Sequence, residues 1–193
     1  MNRQTVIEKL LSDLSTGLAN SNDGSFDAAI RKALQKTSKE LCLQHLILFQ
    51  YVSESQCFTR LHAACSKDAA QLPQAFKLSQ AFPWCHDQLQ QGRVVRINSP
   101  QDLPQRAAQD TMSCQSYDIQ SVLAVPLRVS GALRYAIAAT ASQPITWSRY
   151  RVDQVRLLGN ILASALEREK AIWGIQPSDE TWRLILENIP AAI

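Results

Sequence analysis

The sequence predicts an α+β domain in which an antiparallel sheet is flanked by helices. Three observations carry this reading. First, LQHLILFQYV (43–52) is apolar on both alternating sets, as expected of a strand covered on both faces. Second, SVLAVPLRV (121–129) and ALRYAIAATA (132–141) are separated only by Ser130 and Gly131, the signature of a tight hairpin. Third, long helical stripes lie at both ends, with no repeating strand–helix–strand unit between them.

The elements follow in chain order. Val6, Ile7, Leu10, Leu11, Leu14 and Leu18 form one helical stripe, ended by the turn-rich run Asn20 to Ser25. Ser25 suits the cap of a second helix, in which Phe26, Ile30, Ala33, Leu34 and Leu41 share a face. After strand 43–52, Ser53–Ser55 reads as a turn and CFTRLHAAC (57–65) as its hairpin partner. Residues 66–82 read as irregular. Pro83 in a first turn and Gly92 just past an end bracket the short helix PWCHDQLQQ. RVVRI (93–97) is a short strand, and Ser99-Pro100 opens a helical piece running to about Asp110.

In the closing hairpin, Gly131 supplies the positive φ of a primed turn, and Pro126 requires a bulge or an edge. A long helix then runs from about Ser148 to Trp173. Val155, Leu158, Leu162, Ala165 and Ile172 recur on it at coiled-coil spacing, interrupted by Glu169. Gly174 and Pro177 end it. The tail SDETWRLILENIPAAI begins a new helical pattern that stops short. The expected division is 1–24 as an N-terminal helix, 25–173 as the main domain with its C-terminal helix, and 174–193 as a linker with the start of a further domain.

Composition narrows the function. Hydrophobic residues make up 46% of 193 and charged residues 19%. Six glycines and eight prolines leave no room for a long low-complexity stretch, so the chain folds around a core. The net charge of +3 carries no basic cluster that would favour nucleic acid. No apolar run approaches the roughly 18 residues of a membrane span. The N-terminus, with Glu8 and Asp13 inside its amphipathic pattern, is not a signal peptide. Five cysteines, an odd number, read as reduced cytoplasmic thiols. No cofactor motif is present.

Three segments together resemble the GAF domain family of bacterial sensor kinases and cyclic-di-GMP signalling proteins. GSFDAAIRKALQKTSKELCLQHLILFQ looks like its opening helix and first strand. FPWCHDQLQQGRVVRINSPQDLP looks like its central helix, Gly turn and third strand. YDIQSVLAVPLRVSGALRYAIAA, followed by Trp147 and LLGNILASALERE, looks like its closing hairpin and terminal helix. The tail TWRLILENIPAAI resembles the start of a PAS domain. The resemblance implies a sheet of about six strands, with helices on one side and a small-molecule pocket on the other. It also implies terminal helices packed together, often across a homodimer. Such a domain is not itself an enzyme. It senses a ligand or only dimerises, and it biases a downstream effector elsewhere in the parent chain. The expected dimer stripe is Leu10, Leu14, Val155, Leu158, Leu162 and Ala165.

Candidate chemistry is sparse. Cys85-His86 resembles the attachment pair of bilin-binding GAF domains, but the family's attachment position falls near Gln109, which has no thiol. Cys85 and Cys114 match the thiol spacing of free methionine-(R)-sulfoxide reductase. That enzyme's substrate-binding Glu, however, is replaced by Val122, and AIAATA carries no carboxylate. Cys114, in MSCQSYD, reads as an exposed loop thiol. Simple alternation places Cys57 and Cys65 on one strand face and His62 on the other. Cys57 and Cys65 lie about 26 Å apart at ~3.3 Å per residue, too far to share a metal. The cyclic-nucleotide signature of some GAF domains is absent.

The remaining candidate is the pocket that the resemblance implies, between the sheet and the segment joining its second and third strands. Phe82, Trp84 and Tyr117 line it, with His86, Arg96 or Arg134 as polar anchors and Phe76 nearby. Tyr135 stands where most relatives have Gly and is expected to fill or reshape the pocket. Trp147 reads as an anchor of the terminal helix on the sheet. The expected function is a sensory or regulatory module. The alternatives are a ligand-free dimerisation and transmission module and, third, a thiol redox enzyme.

Overall fold

The computed structural model describes residues 25–66, 69 and 77–172. Helix α1 (Ser25–Leu41) leads into β1 (His45–Val52) and β2 (Cys57–Cys65). Two short helices follow, α2 (Leu78–Ala81) and α3 (Pro83–Gln90), then β3 (Val95–Ile97). Two 3₁₀ turns (Pro100–Asp102 and Gln105–Ala107) run into α4 (Ala108–Ser116). The hairpin β4 (Ser121–Val129) and β5 (Ala132–Ala141) precedes the long helix α5 (Arg149–Ile172).

The strands form one antiparallel sheet in the order β2-β1-β5-β4-β3. It has five strands, where about six were expected. At the outer edge of β2, Lys77 makes a single bridge to Thr59 before the chain turns into α2 at Leu78. The N-terminal helix and its stripe residues Leu10 and Leu14 lie outside the described residues, as does the tail compared with a PAS domain.

Two clusters cover the two faces of the sheet. Leu46, Leu48, Leu123, Val125, Leu127, Tyr135, Ile137 and Ala139 face α1 and α5. Ile47, Phe49, Phe58, Val122, Ala124, Ala136 and Ala138 face α2, α3 and α4. The expected two-sided strand is thus β1. The closing hairpin turns on Ser130 at φ 51° and Gly131 at φ 81°, a primed turn with both central residues left-handed. Pro126 lies past the end of β3, where the outer edge of β4 has no partner.

Two bulges reset which side chains share a face. In β2, Leu48 pairs with His62 and Phe49 with Arg60, so Leu61 is an extra residue. In β5, Leu127 pairs with Tyr135 and Arg128 with Leu133, so Arg134 is extra. Each extra residue inverts the alternation beyond it. Cys57 and His62 therefore share the α1 side while Cys65 lies on the other, correcting the simple alternation. Tyr135 likewise moves to the α5 side; a bulge-free hairpin would set it opposite Pro126.

Helix ends follow one pattern. In α3, the N–H of Arg93 reaches the carbonyl of Gln88 and that of Gly92 the carbonyl of Leu89, with Gly92 at φ 74°. The same pair of bonds ends α1 around Cys42 (φ 55°) and α4 around Asp118 (φ 51°). Only the first of these left-handed positions is a glycine. The helical piece expected from Ser99 to Asp110 is accordingly displaced: 3₁₀ turns come first, and the α-helix continues to Ser116.

Helix α5 lies against β4 and β5 through Val155, Leu158, Leu162 and Ala165. Leu158 and Leu162 are fully buried. These four residues, expected as a dimer stripe, are used up within the chain, because the sheet needs an apolar cover on that face. Trp147 anchors the approach: it is buried, its Nε1 donates to the Ile97 carbonyl (3.1 Å), and its N–H donates to Asn98 Oδ1 (2.9 Å).

The closest approach is at Gly159. A Cβ there would meet Ile137 Cγ2 and both Leu127 Cδ atoms at 2.9 Å. Overpacking a core costs about 1–3 kcal/mol, against about 1 kcal/mol gained in helix propensity. Gly159→Ala is therefore expected to lose about 1 kcal/mol of stability in urea unfolding. A gain would show that α5 does not sit this close.

Candidate functional site

The candidate site lies on the face covered by α2, α3 and α4. Its floor is built from small side chains, Ala63, Ala124, Ala136 and Ala138. Its walls are Phe49, Phe58, Phe82, Leu89 and Ile119. Helix α3 carries the centre of the site and starts at Pro83, in the first turn, where a missing N–H costs no helical bond.

An eight-residue helix leaves its first N–H groups without helical partners. Phe82 at the cap offers no side-chain acceptor. Asp110, from α4, fills the role: Oδ1 accepts from the Trp84 N–H (3.0 Å) and Oδ2 from the Cys85 N–H (2.9 Å). The residue is 1% exposed. Burial raises its pKa, while the bonds from Cys85 and Trp84 oppose that rise. The carboxyl group at the helix N-terminus fixes α3 to α4, at the cost of taking an ionisable group out of water. Ser113 ties α4 to α2 as well, its Oγ donating to the Ala81 carbonyl.

Four of the six expected site residues come together here. Phe82 and His86 are buried, and Trp84 and Tyr117 are half-buried in the same cluster. His86 is not a free anchor. Its Nε2 donates to the Gln56 carbonyl (3.0 Å), which makes Nε2 the protonated nitrogen, and its ring stands edge-on to Phe58 at 5.7 Å. One turn on, Gln90 Nε2 donates to the same carbonyl (2.9 Å) and to Tyr51 Oη (3.3 Å). Together they pin α3 to the β1–β2 turn.

The other two residues are elsewhere. Arg96 pairs with Leu123, so it faces the α5 side, and it is exposed on the edge strand. Tyr135 is fully buried on the α5 side, placed there by the bulge at Arg134. It does not fill the expected pocket. Arg134 is exposed, and Phe76 lies outside the described residues.

Cys85 and Cys114 are both buried in this cluster, so Cys114 is not the exposed loop thiol expected. Burial first, then the charge of Asp110, pushes both thiols up, Cys85 far up and Cys114 to about 11. The exposed thiols are Cys42 and Cys65, which line an open groove of about 610 Å³ beside the end of α1. None of the expected site residues lines that groove. Among the described residues no group of three or more His, Cys, Asp or Glu is placed to hold a metal. Among them, too, no helix is long and apolar enough to cross a membrane.

Two features escaped sequence reading. Asp110 caps a helix 25 residues away in the chain, and no local motif announces such a bond. Trp84 Nε1 is a buried donor without a hydrogen-bond partner among the described residues.

The model of the GAF domain family matches residues 25–166, and the chain belongs to that family. No curated protein sequence matches it. Among solved structures, it is similar to the GAF domain of a Coxiella burnetii phosphoenolpyruvate-protein phosphotransferase. That match has 11% identity and a TM-score of 0.71, covering 90% of this chain and 100% of that one. It is also similar to a phycocyanobilin-bound GAF domain of a cyanobacterial phytochrome, at 12% identity and a TM-score of 0.67, covering 89% and 97%. Free methionine-R-sulfoxide reductase from Neisseria meningitidis, solved with its substrate, matches at 12% identity and a TM-score of 0.61, covering 87% and 95%. At these identities the likeness establishes the fold.

The Asp110 bridge gives a direct test. Asp110→Ala leaves the buried Cys85 N–H and the part-buried Trp84 N–H without this partner, at a cost of about 1–3 kcal/mol, readable by urea unfolding. A carboxyl whose pKa is raised on folding stabilises below its unfolded value of 3.8, and that contribution is lost as pH rises through the folded value. The stability difference between the native chain and Asp110→Asn is therefore expected to shrink as pH climbs from 3.8. A difference independent of pH would contradict this.

Proposed function

We propose that this chain is a sensory module of a cytoplasmic signalling protein, binding a small molecule on the α3–α4 face and passing its presence to α5. The observation that carries the reading is the buried Trp84 Nε1–H with no partner among the described residues. A buried donor of this kind is costly unless something accepts from it. A ligand with a hydrogen-bond acceptor, otherwise apolar enough for walls of Phe49, Phe58 and Phe82, answers that need. Two of the similar structures hold a ligand, phycocyanobilin in one and the enzyme's substrate in the other, which supports a ligand on this fold.

Transmission follows from β5. Ala136 and Ala138 face the candidate site, while Tyr135, Ile137 and Ala139 face α5. A ligand that displaces this strand biases the position of the helix behind it. The module works as a homodimer in this reading, and a sensor kinase or cyclic-di-GMP enzyme is the downstream partner that suits it. Pairing falls to surfaces other than Val155, Leu158, Leu162 and Ala165, which are buried against the sheet.

A ligand-free transmission module is the second reading, favoured by the full burial of Phe58, Leu89 and Ala136 in the site cluster. Native mass spectrometry separates the two. The native chain is expected to carry added mass that Trp84→Phe, which keeps a ring but lacks the donor, does not retain. Bare protein in both cases favours the ligand-free module.

The thiol-enzyme reading meets a physical obstacle. Attack on a sulfoxide needs a thiolate, and Cys85 and Cys114 are held in the protonated form by burial. Peptide mapping after brief alkylation at neutral pH is expected to find Cys42 and Cys65 modified and Cys85 and Cys114 protected until unfolding. Rapid modification of Cys85 would revive the enzyme.

A further inference from the structure

Tyr135 is the largest fully buried side chain of the described residues, yet its hydroxyl is not in an apolar setting. It donates to Glu167 Oε1 at 2.6 Å and accepts from Lys170 Nζ at 2.8 Å. Glu167 and Lys170 complete the triangle at 3.4 Å, and the Lys170 ammonium stands 5.1 Å from the Tyr135 ring centroid. Both partners lie in the last two turns of α5, a third exposed, while Tyr135 sits in the central strand of the sheet. Elsewhere the described contacts of α5 with the sheet are apolar packing; this one is directional.

The aim of Tyr135 is set by the bulge at Arg134, one residue before it. A bulge gives up ladder pairing and is found where a strand must re-aim a side chain. The residue after Tyr135 is Ala136, on the floor of the candidate site. A movement of the backbone at this point is therefore felt on both faces within two residues.

We propose that Tyr135, Glu167 and Lys170 form a latch that couples the α3–α4 face of β5 to the C-terminal turns of α5. It sets the position of those turns according to what lies against Ala136 and Ala138. The latch rests on the transmission half of the reading above, and it stands whatever the ligand proves to be. Burial, then the Glu167 carboxylate, pushes the tyrosine hydroxyl well above its ordinary range, so it stays protonated as the donor the latch requires.

The test uses the full chain and hydrogen exchange read by mass spectrometry. Tyr135→Phe keeps the ring and removes the hydroxyl. It is expected to speed exchange at residues 166–171 by about tenfold while residues 152–162 and β5 keep their rates. Glu167→Gln, which keeps an acceptor, is expected to do less. Unchanged rates at 166–171, or a uniform rise through α5 and β5, would overturn the latch.

Coupling itself is read with Ala138→Val, which adds bulk on the far face of β5. In the native background it is expected to alter exchange at 166–171; in the Tyr135→Phe background that response is lost. The same response in both backgrounds, or none in either, would sink the proposal. Native mass spectrometry judges the ligand separately, so a failed latch and an absent ligand are told apart.

Discussion

From Tyr135 to Ala141 strand β5 is buried throughout, and the rest of the molecule is arranged around that constraint. Its edges are paired with β1 and β4, and its faces are covered by α5 on one side and the α3–α4 cluster on the other. A strand so enclosed needs side chains that fit two layers at once. Its run of alanines answers this: Ala136 and Ala138 leave space for the aromatic walls of one layer, and Ala139 admits α5 in the other. Gly159 completes the fit from the helix side, where even a methyl group would strike Ile137 and Leu127. Small residues in both partners bring the sheet and helix close enough for Tyr135 to reach Glu167. In a dense interior, close packing of this kind transmits displacement instead of absorbing it.

The architecture was legible in the sequence because its signals are local. A two-sided apolar run, a two-residue turn with glycine and a helix between Pro83 and Gly92 each declare themselves within ten residues. The errors arose where the same structural device lacked its usual residue. Helices α1, α3 and α4 all end on a left-handed residue with the same pair of backbone bonds. Only Gly92 announces this; Cys42 and Asp118 do not, and the helix after Pro100 was accordingly misplaced. The bulges at Leu61 and Arg134 are likewise silent. Neither carries glycine, yet each inverts the faces beyond it. The bulge at Leu61 accounts for the faces of Cys57, His62 and Cys65, and the bulge at Arg134 for that of Tyr135.

The candidate site divides the same way. Phe82, Trp84, His86 and Tyr117 were legible because they lie on or beside a short helix whose position the fold determines. Asp110 was not, since its partners are backbone N–H groups 25 and 26 residues away, and any residue could supply those. The thiols show why spacing alone misleads. Cys85 and Cys114 stand where a redox pair would, but the carboxylate that caps α3 also opposes their ionisation. One buried charge thus serves the fold and disfavours thiol chemistry at the same place.

That charge also bears on how a ligand would act. Helix α3 is held at three points: by Asp110 at its start, and through His86 and Gln90 at the β1–β2 turn. A roof fixed at both ends cannot swing away cheaply, whereas β5 presents only the small side chains of Ala136 and Ala138 to the site. In the proposed coupling, displacement passes through β5 to α5, and the residue positioned to receive it is Tyr135. The proposed path follows from what lies behind each side of the site: α3 is tied to α4 and to the β1–β2 turn, while β5, held in the sheet by its ladders to β1 and β4, carries Tyr135 on its far face.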